Sequence, residues 1–467
     1  MNVNLFYRFW FYKKKFLLGA FFCVMLLLAG NAACQPLFVE MPAITESDRI
    51  LIFAPHPDDE IIGCAGIIQH ALEKGATIKI VFLTNGDHNQ VAFKIYKKQI
   101  IMRPESYRKM GELRRQESLV AGKSLGLSDS QLLFLGYPDY GTMEIWLKHW
   151  GNIKPFKSSL TNVNRVPYPE NPSYKKAYTG ENILSDITTV LKSFKPTRIF
   201  ATHPGDTNTD HRALYNFVQL GLLETGYTEP NNLHLYLVHS RRWPKPSGFL
   251  PTEMLTPPDR LQTHAYQWEV FSVPEEHLLK KASALEVFKS QLIGRKNFFL
   301  SFVRKNELFG KVPWITLPVT TSEISIETKN EGELSEEMEV KHTRICEIGI
   351  SSNQKNVLLS VKAKRVVFER DFYVELRLYG WKNNLPFAEM PKLVMETDLS
   401  GKSRVYNGTK QARHPQLKIE SVGNDTIFTI PRELLGNPEF LFLGGENKLG
   451  ALTLDFLPWR VFKASGT

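Results

Sequence analysis

The chain has 467 residues, more than one hydrophobic core usually holds, so we expect two domains. Apolar residues make up 43% and charged residues 23% of the chain, a globular balance that argues against disorder. The formal net charge of +10 favours acidic envelope polymers only weakly, and the four cysteines form neither a disulfide framework nor a cysteine metal site.

The first 33 residues have the pattern of a secretory leader. Basic residues at positions 8 and 13–15 precede an apolar run at 16–30, and the small residues Ala32 and Ala33 follow. We therefore expect an exported protein that is periplasmic, in the cell envelope or secreted, and nucleic acid is excluded as a partner. Two alternatives, an uncleaved anchor and a lipoprotein modified at Cys34, would attach the N-terminus to a membrane.

From residue 49 to residue 238, short apolar runs alternate with helical patterns. The runs predict strands, and the periodic segments between them predict helices. The predicted strands are 50–54, 78–83, 132–135, 198–202 and 233–238, and the predicted helices are 61–72, 105–125, 181–194 and 211–223. This alternation predicts an α/β fold, with a mostly parallel sheet and helices on both faces.

Two later regions differ from this pattern. Residues 138–180 have little periodicity and several aromatic residues, which either stack on sugar rings or pack the loop onto the domain. After a helical pattern at 275–292, period-two alternation at 357–361 and 372–379 predicts a C-terminal β-sandwich. We place the two domains at residues 45–318 and 321–467.

Two loops that follow predicted strands carry acids and histidines. Residues 54–60 read APHPDDE and contain His56, Asp58 and Asp59, while residues 203–211 read HPGDTNTDH and contain Asp210 and His211. Ligands bind at the carboxyl ends of parallel strands, where both loops would meet. Acids and prolines also cap helices, and alone Asp210 and His211 would be an ordinary cap and first-turn residue. Together, the loops predict a metal site, because two histidines and one carboxylate are a common catalytic zinc arrangement.

These two motifs resemble the signatures of the PIG-L/LmbE-like deacetylases. The resemblance covers roughly residues 49–309, with weaker similarities at 114–117, 125–127, 136–139, 290–291 and 306–309. Members of that family are zinc enzymes of Rossmann-like fold that hydrolyse acetamido groups on glucosamine-containing substrates. The resemblance implies that a Zn²⁺ ion is held by His56, Asp59 and His211, and that Asp58 is the general base. Glu60 is expected to support the loop.

The resemblance also suggests roles for residues around these four. Asp206 and Asp210 are expected to orient a ligand histidine through its other ring nitrogen. Arg114 and Asp139 are expected either to contact substrate hydroxyls or to be ordinary surface and helix charges. Many family members carry a histidine where this chain has Asn208, and an amide can donate a hydrogen bond but cannot carry a proton. Either Asp58 makes both proton transfers, or His203 or His239 enters the site.

We therefore expect hydrolysis of the N-acetyl group of an N-acetylglucosamine-type sugar in an exported or cell-surface saccharide, a class that includes envelope polymers. We expect the C-terminal sandwich to position the catalytic domain. One alternative is a zinc amidase acting on another small amide, which export argues against. The other is a carbohydrate-binding protein that kept the fold and lost catalysis. Asn208 favours this second alternative, whereas the retained Asp58 argues against it.

Overall fold

The computed structural model describes residues 38–88, 103–263, 266–317, 324–327, 344–364, 372–398, 400–422, 425–450 and 452–464. The expected leader lies outside these ranges. Contacts group the chain into two units, Met1–Val39 and Glu40–Thr467. Strand β1 (Phe38–Glu40) spans the boundary between them in the sequence, and the other elements that the structure describes belong to the second unit. In the part of the chain that the structure describes, no helix is long and apolar enough to cross a membrane.

The first part of the second unit is the predicted α/β fold. Its strands are β2 (Arg49–Ala54), β3 (Thr77–Thr84), β4 (Leu132–Tyr137), β5 (Arg198–Thr202), β6 (Leu233–Tyr236), β7 (Gln267–Ser272) and β8 (Asn306–Lys311). Its helices are α1 (Asp59–Glu73), α2 (Pro104–Ser124), α3 (Thr142–Lys148), α4 (Gly180–Phe194), α5 (Thr209–Glu224), α6 (Glu275–Leu285), α7 (Lys289–Leu292) and α8 (Lys296–Leu300). The segment expected as one helix at 275–292 is divided between α6 and α7.

The strands of this sheet follow the order β7-β8-β6-β5-β2-β3-β4. The five strands from β6 to β4 are parallel, and β8 and β7 add an antiparallel edge. The chain runs outward from β2 to β3 and β4 and then returns to place β5 on the other side of β2. The strand order therefore reverses between β2 and β5, which is the usual position of a ligand site in such sheets.

The remaining strands form two further sheets. Their bounds are β9 (Ile315–Thr316), β10 (Ile324–Glu327), β11 (Arg344–Ser352), β12 (Asn356–Lys364), β13 (Phe372–Trp381), β14 (Lys392–Asp398), β15 (Ser403–Asn407), β16 (Lys410–Gln411), β17 (Lys418–Val422), β18 (Asp425–Pro431), β19 (Phe440–Leu449) and β20 (Leu452–Lys463). One sheet has the order β10-β11-β12-β18-β17 and the other β16-β15-β14-β13-β19-β20-β9. Alternate residues such as Leu359 and Leu376 point from the two sheets into one shared core, as in a sandwich.

The seven-stranded sheet packs against the α/β part through aromatic side chains. Trp146 on α3 is fully buried, and its ring lies 5.8 Å from that of Trp459 and 5.6 Å from that of Phe442. Trp381 donates a hydrogen bond of 2.8 Å from Nε1 to Glu224 at the end of α5. The C-terminal sheets thus support two helices of the α/β part, and α5 is the helix that carries His211.

Most aromatic residues of the 138–180 segment pack inward. Trp146, Trp150, Tyr168 and Tyr178 are buried, whereas Tyr174 is exposed. Of the two readings of this segment, packing onto the domain therefore holds for these four side chains.

Candidate metal-dependent active site

Both acid–histidine loops lie at the same edge of the sheet. Strands β2 and β5 pair directly through Leu51 and Ile199, so their carboxyl ends are adjacent. The loop after β2 supplies His56, Asp58 and Asp59, and the loop after β5 continues into helix α5. The two loops line a cleft of about 550 Å³.

Three side chains of these loops converge as a metal-ligand set. Asp59 Oδ2 lies 3.1 Å from His56 Nδ1 and 3.2 Å from His211 Nε2. One ligand atom from each residue lies within 4.8 Å of the others. Two imidazole nitrogens and one carboxylate oxygen at this spacing fit a divalent ion with an open coordination position.

The outer nitrogen of each ligand histidine faces a carboxylate. His56 Nε2 lies 3.2 Å from Asp139 Oδ1 and 3.3 Å from Asp210 Oδ2. His211 Nδ1 lies 3.1 Å from Asp206 Oδ2. Carboxylates in this position hold the ring orientation and the tautomer that a metal requires.

These orienting carboxylates are themselves fixed by backbone donors. Asp206 Oδ2 accepts hydrogen bonds from the N–H groups of Val238 (3.0 Å) and His239 (2.9 Å), just beyond β6. Asp210 Oδ1 accepts from the N–H of Thr142 at 3.1 Å. The positions of both ligand histidines therefore depend on segments distant in sequence.

The closely spaced histidines and carboxylates shift one another's pKa values. Burial works against the charge on His211, but Asp206 and Asp59 raise the pKa of this imidazole to about 9. For Asp59, burial is outweighed by His211 and His56, which hold its pKa well below the usual range. Without a metal, protons on the histidines balance the acids, and a bound divalent cation would displace such protons.

Asp58 lies beside the ligand set but has different contacts. It precedes helix α1 with a backbone φ of +131°, a strained conformation of the kind found at functional sites. Its Oδ2 accepts a hydrogen bond of 3.0 Å from Arg114 Nη2, and its N–H donates to Glu60 at 2.9 Å. Burial raises the pKa of Asp58 to about 6, although Arg114 acts in the opposite direction. A carboxylate with a pKa near neutrality suits proton transfer.

Arg114 and Asp139 both line the cleft, and both have partners within the protein. Arg114 donates to the carbonyl groups of Pro57 (2.9 Å) and Gly86 (3.1 Å) in addition to Asp58. A Cβ at Gly86 would lie 2.2 Å from Arg114 Nη1, so only glycine permits this approach. Arg114 thus positions Asp58, while Asp139 positions His56. Contact with substrate hydroxyls stays a prediction for both.

Asn208, His203 and His239 were the candidates for the position of the usual family histidine, and they differ in whether they reach the cleft. Asn208 caps helix α5, because its Oδ1 accepts from the N–H of Asp210 at 2.8 Å, and it also lines the cleft. His239 lines the cleft as well, with Nδ1 3.4 Å from Asp206 Oδ1. His203 does not line the cleft: its ring stacks on Trp268 at 5.1 Å, and its Nδ1 accepts from the N–H of Gly205.

Sequence reasoning missed several residues of the cleft wall. They are His88, Tyr140, Arg295, Phe298 and Phe299. Tyr140 directly follows Asp139, so its proximity to that candidate was the only available signal. Arg295 and the two phenylalanines reach the cleft from the segment around α8, which no strand-end argument indicates.

Part of the α/β fold matches a known family. Residues 51–220 match the model of the PIG-L family, described as GlcNAc-PI de-N-acetylase. The matched segment, which includes both acid–histidine loops, is therefore similar to the PIG-L family. This match confirms the resemblance seen in the sequence and identifies the chain as an enzyme of the deacetylase type. No curated protein sequence matches the chain.

Several solved structures resemble part of this chain. N,N'-diacetylchitobiose deacetylase from Pyrococcus horikoshii is 18% identical, with 56% of this chain and 83% of that chain covered and a TM-score of 0.36. The A40926 pseudoaglycone deacetylase is 16% identical, covering 56% and 96%, with a TM-score of 0.35. The 4-carboxy-2-hydroxymuconate hydratase from Pseudomonas putida is also 16% identical, covering 58% and 99%, with a TM-score of 0.34.

Proposed function

We propose that the protein is a zinc-dependent hydrolase that removes the N-acetyl group from an N-acetylglucosamine-type sugar of an exported or cell-surface saccharide. The observation that carries the proposal is the position of Asp58. This buried carboxylate lies in the cleft beside His56, Asp59 and His211 but is held by Arg114. A protein that only binds sugars has no need of such a base.

Zinc is the metal that best fits the three donors. Two imidazole nitrogens and one carboxylate oxygen, held by outer carboxylates, favour zinc over magnesium or calcium, which prefer oxygen ligands. When bound, zinc would polarise the acetyl carbonyl and lower the pKa of the attacking water.

The proposed roles of the protein groups follow from their contacts. Asp58 accepts a proton as water attacks the acetyl carbon, and it returns a proton to the nitrogen as the C–N bond breaks. The products are acetate and the free amine of the sugar. Arg114 keeps Asp58 oriented throughout, and the amide nitrogen of Asn208 is available as a donor to the carbonyl oxygen where negative charge develops.

The location and the natural substrate are part of this proposal. The basic, apolar and small-residue order of residues 1–33 supports export, by cleavage or with an N-terminal membrane anchor. An exported deacetylase would meet N-acetylated envelope saccharides, and the modest positive charge suits acidic members of that class.

The decisive experiment measures acetate release from a panel of N-acetylated saccharides. The purified protein is assayed as isolated, after chelation, and after chelation with zinc restored, and its metal content is determined each time. We expect release that chelation abolishes and zinc restores. Saccharide binding without acetate release would support the binding-only alternative, and release from non-sugar amides alone would support the small-amide alternative.

A further inference from the structure

The cleft extends beyond the metal site, and part of its outer lining is an exposed aromatic ring. Tyr140 is 59% exposed although it directly follows the buried Asp139. Its backbone φ is +57°, in the left-handed region that is costly for a residue with a side chain. Its N–H donates to Asp210 Oδ2, which ties this strained residue to the metal site. The chain thus holds the ring at the cleft despite a conformational cost.

His88 supports this ring. The two ring centroids are 4.8 Å apart, and the His88 N–H donates a hydrogen bond of 2.9 Å to Asp139 Oδ2. Both rings line the cleft. Amphipathic rings of this kind can contact the apolar face of a sugar while their polar atoms remain hydrated. A second sugar residue would find such a surface next to the metal site.

Arg295 adds a positive charge to the same cleft. Its guanidinium lies 5.1 Å from the centroid of the Phe298 ring, and that ring stacks on His239. Among the described residues, no carboxylate lies within ion-pair distance of Arg295, whereas Arg114 contacts Asp58 at 3.0 Å. Arg295 and the exposed ring of Tyr140 line the same cleft.

We propose that Tyr140, His88 and Arg295 form a second subsite that binds an acidic sugar residue joined to the N-acetyl sugar. The guanidinium would pair with a carboxylate on that residue, and the aromatic rings would contact its ring face. This inference rests on the proposed deacetylation and narrows its substrate to saccharides in which a carboxylate-bearing sugar neighbours the N-acetyl group.

The test compares kcat/KM for acetate release from matched substrates. They are N,N'-diacetylchitobiose, a disaccharide of N-acetylglucosamine and glucuronic acid, and N-acetylglucosamine 1-phosphate. We expect the acidic disaccharide to exceed the neutral one by about 10-fold, chiefly through a lower KM, because one charge-assisted contact is added. An equal gain for the 1-phosphate would show that charge alone suffices, which would overturn the requirement for a second sugar residue.

Variants assign this preference to the proposed residues. Arg295→Gln should remove most of the preference for the acidic disaccharide. Lys296→Gln removes the neighbouring positive charge, which pairs with Glu286 and does not line the cleft, and should keep the preference. Tyr140→Ala should raise KM for both disaccharides more than for the monosaccharide phosphate. Tyr140→Phe keeps the aromatic ring and should have a KM close to that of the wild type for all three substrates.

Two outcomes separate this inference from the proposed function. Acetate release without preference for the acidic disaccharide, or an unchanged preference in Arg295→Gln, would overturn the subsite and leave deacetylation intact. Absence of acetate release from every substrate would overturn the proposed function, and the subsite with it.

Discussion

Among the carboxylates of the cleft, Asp58 differs from its neighbours in what surrounds it. Asp59 lies against both ligand histidines, whereas Asp58 accepts a hydrogen bond from Arg114 and itself adopts a strained backbone conformation. The same short motif therefore supplies two acids with different contacts. A ligand and a base can be separated by substitution, because each should affect metal binding differently.

Asp58→Asn should retain the metal and lose about 100- to 10,000-fold in turnover, because an amide cannot accept the proton. His211→Ala provides the contrast, since removal of a ligand should lower metal content and activity together. Metal analysis and initial rates of acetate release, measured on the same preparations, check both expectations. Metal loss in Asp58→Asn, or a full metal equivalent in His211→Ala, would contradict the assigned roles.

Glu60 gives a prediction about pH. Its two oxygens accept from the N–H of Asp58 and the hydroxyl of Ser118, and burial raises its pKa to about 8. The pKa of Glu60 is thus raised from 4.5 in the folded state. Its contribution to the free energy of unfolding is therefore fully present below about pH 4.5 and is lost as the pH rises through 8.

The Tm of the metal-free wild type should therefore fall relative to that of Glu60→Gln between pH 5 and pH 8. The glutamine remains neutral over this range, so the difference between the two proteins isolates the titration of Glu60. Glu144→Gln makes the same change on the surface of α3 and controls for charge. A Tm difference independent of pH would contradict the raised pKa of Glu60.

At the level of elements, one helix, α5, begins at the metal site and ends at the contact with the C-terminal sheets. Its first residues include the cap Asn208, the orienting Asp210 and the ligand His211, and its end accepts the hydrogen bond from Trp381. A substitution at the cap can therefore act through the helix or through the reaction. The two effects call for different replacements.

Asn208→Ser keeps a side-chain oxygen that can cap α5 but removes the amide donor. We expect stability close to wild type and a loss of turnover of about 10- to 1000-fold if the amide stabilises the developing oxyanion. Asn208→Ala should lose the turnover and also about 1 kcal/mol of stability, and Asn208→His should preserve or raise activity. Unchanged rates in the serine and histidine variants would show that this side chain takes no part in the reaction.

On the scale of the whole molecule, the site residues predicted from the sequence all precede the C-terminal sheets. The expectation that these sheets fold separately and position the enzyme on its substrate stays a prediction. Trp146 is buried against Phe442 and Trp459, so removal of the C-terminal sheets would expose its ring. A test of this expectation by truncation has to take that exposure into account. An exposed apolar surface of this kind favours aggregation.

A chain that ends near Thr320 should release acetate from a small N-acetyl sugar and lose activity on an extended polymer. Trp146→Gln in the truncated chain reduces the newly exposed apolar surface, and the same substitution in the full chain is the matched control. Solubility, circular dichroism and both activities are measured for each form. A truncated protein that is folded but inactive on the small sugar would show that the sheets help to build the active site.

The sequence alone determined the α/β class and the two loops that carry the chemistry. Period and strand–helix alternation are local properties, and a residue that follows a parallel strand must lie at the ligand edge. The two acid–histidine loops could therefore be placed together from the sequence, and the family resemblance implied that His56, Asp59 and His211 are the ligands among their residues. The motif at residues 54–60 also indicated the family that the later comparison confirmed.

Only the tertiary structure decided which partners these residues have. That Arg114 holds Asp58, that Asp139 faces His56, and that Tyr140 and Arg295 line the same cleft depend on how α2, α3 and α8 pack. The burial of Trp146 under the C-terminal sheet also depends on packing between elements. Contacts between segments distant in the chain depend on side-chain packing across elements, which leaves no periodic pattern in the sequence.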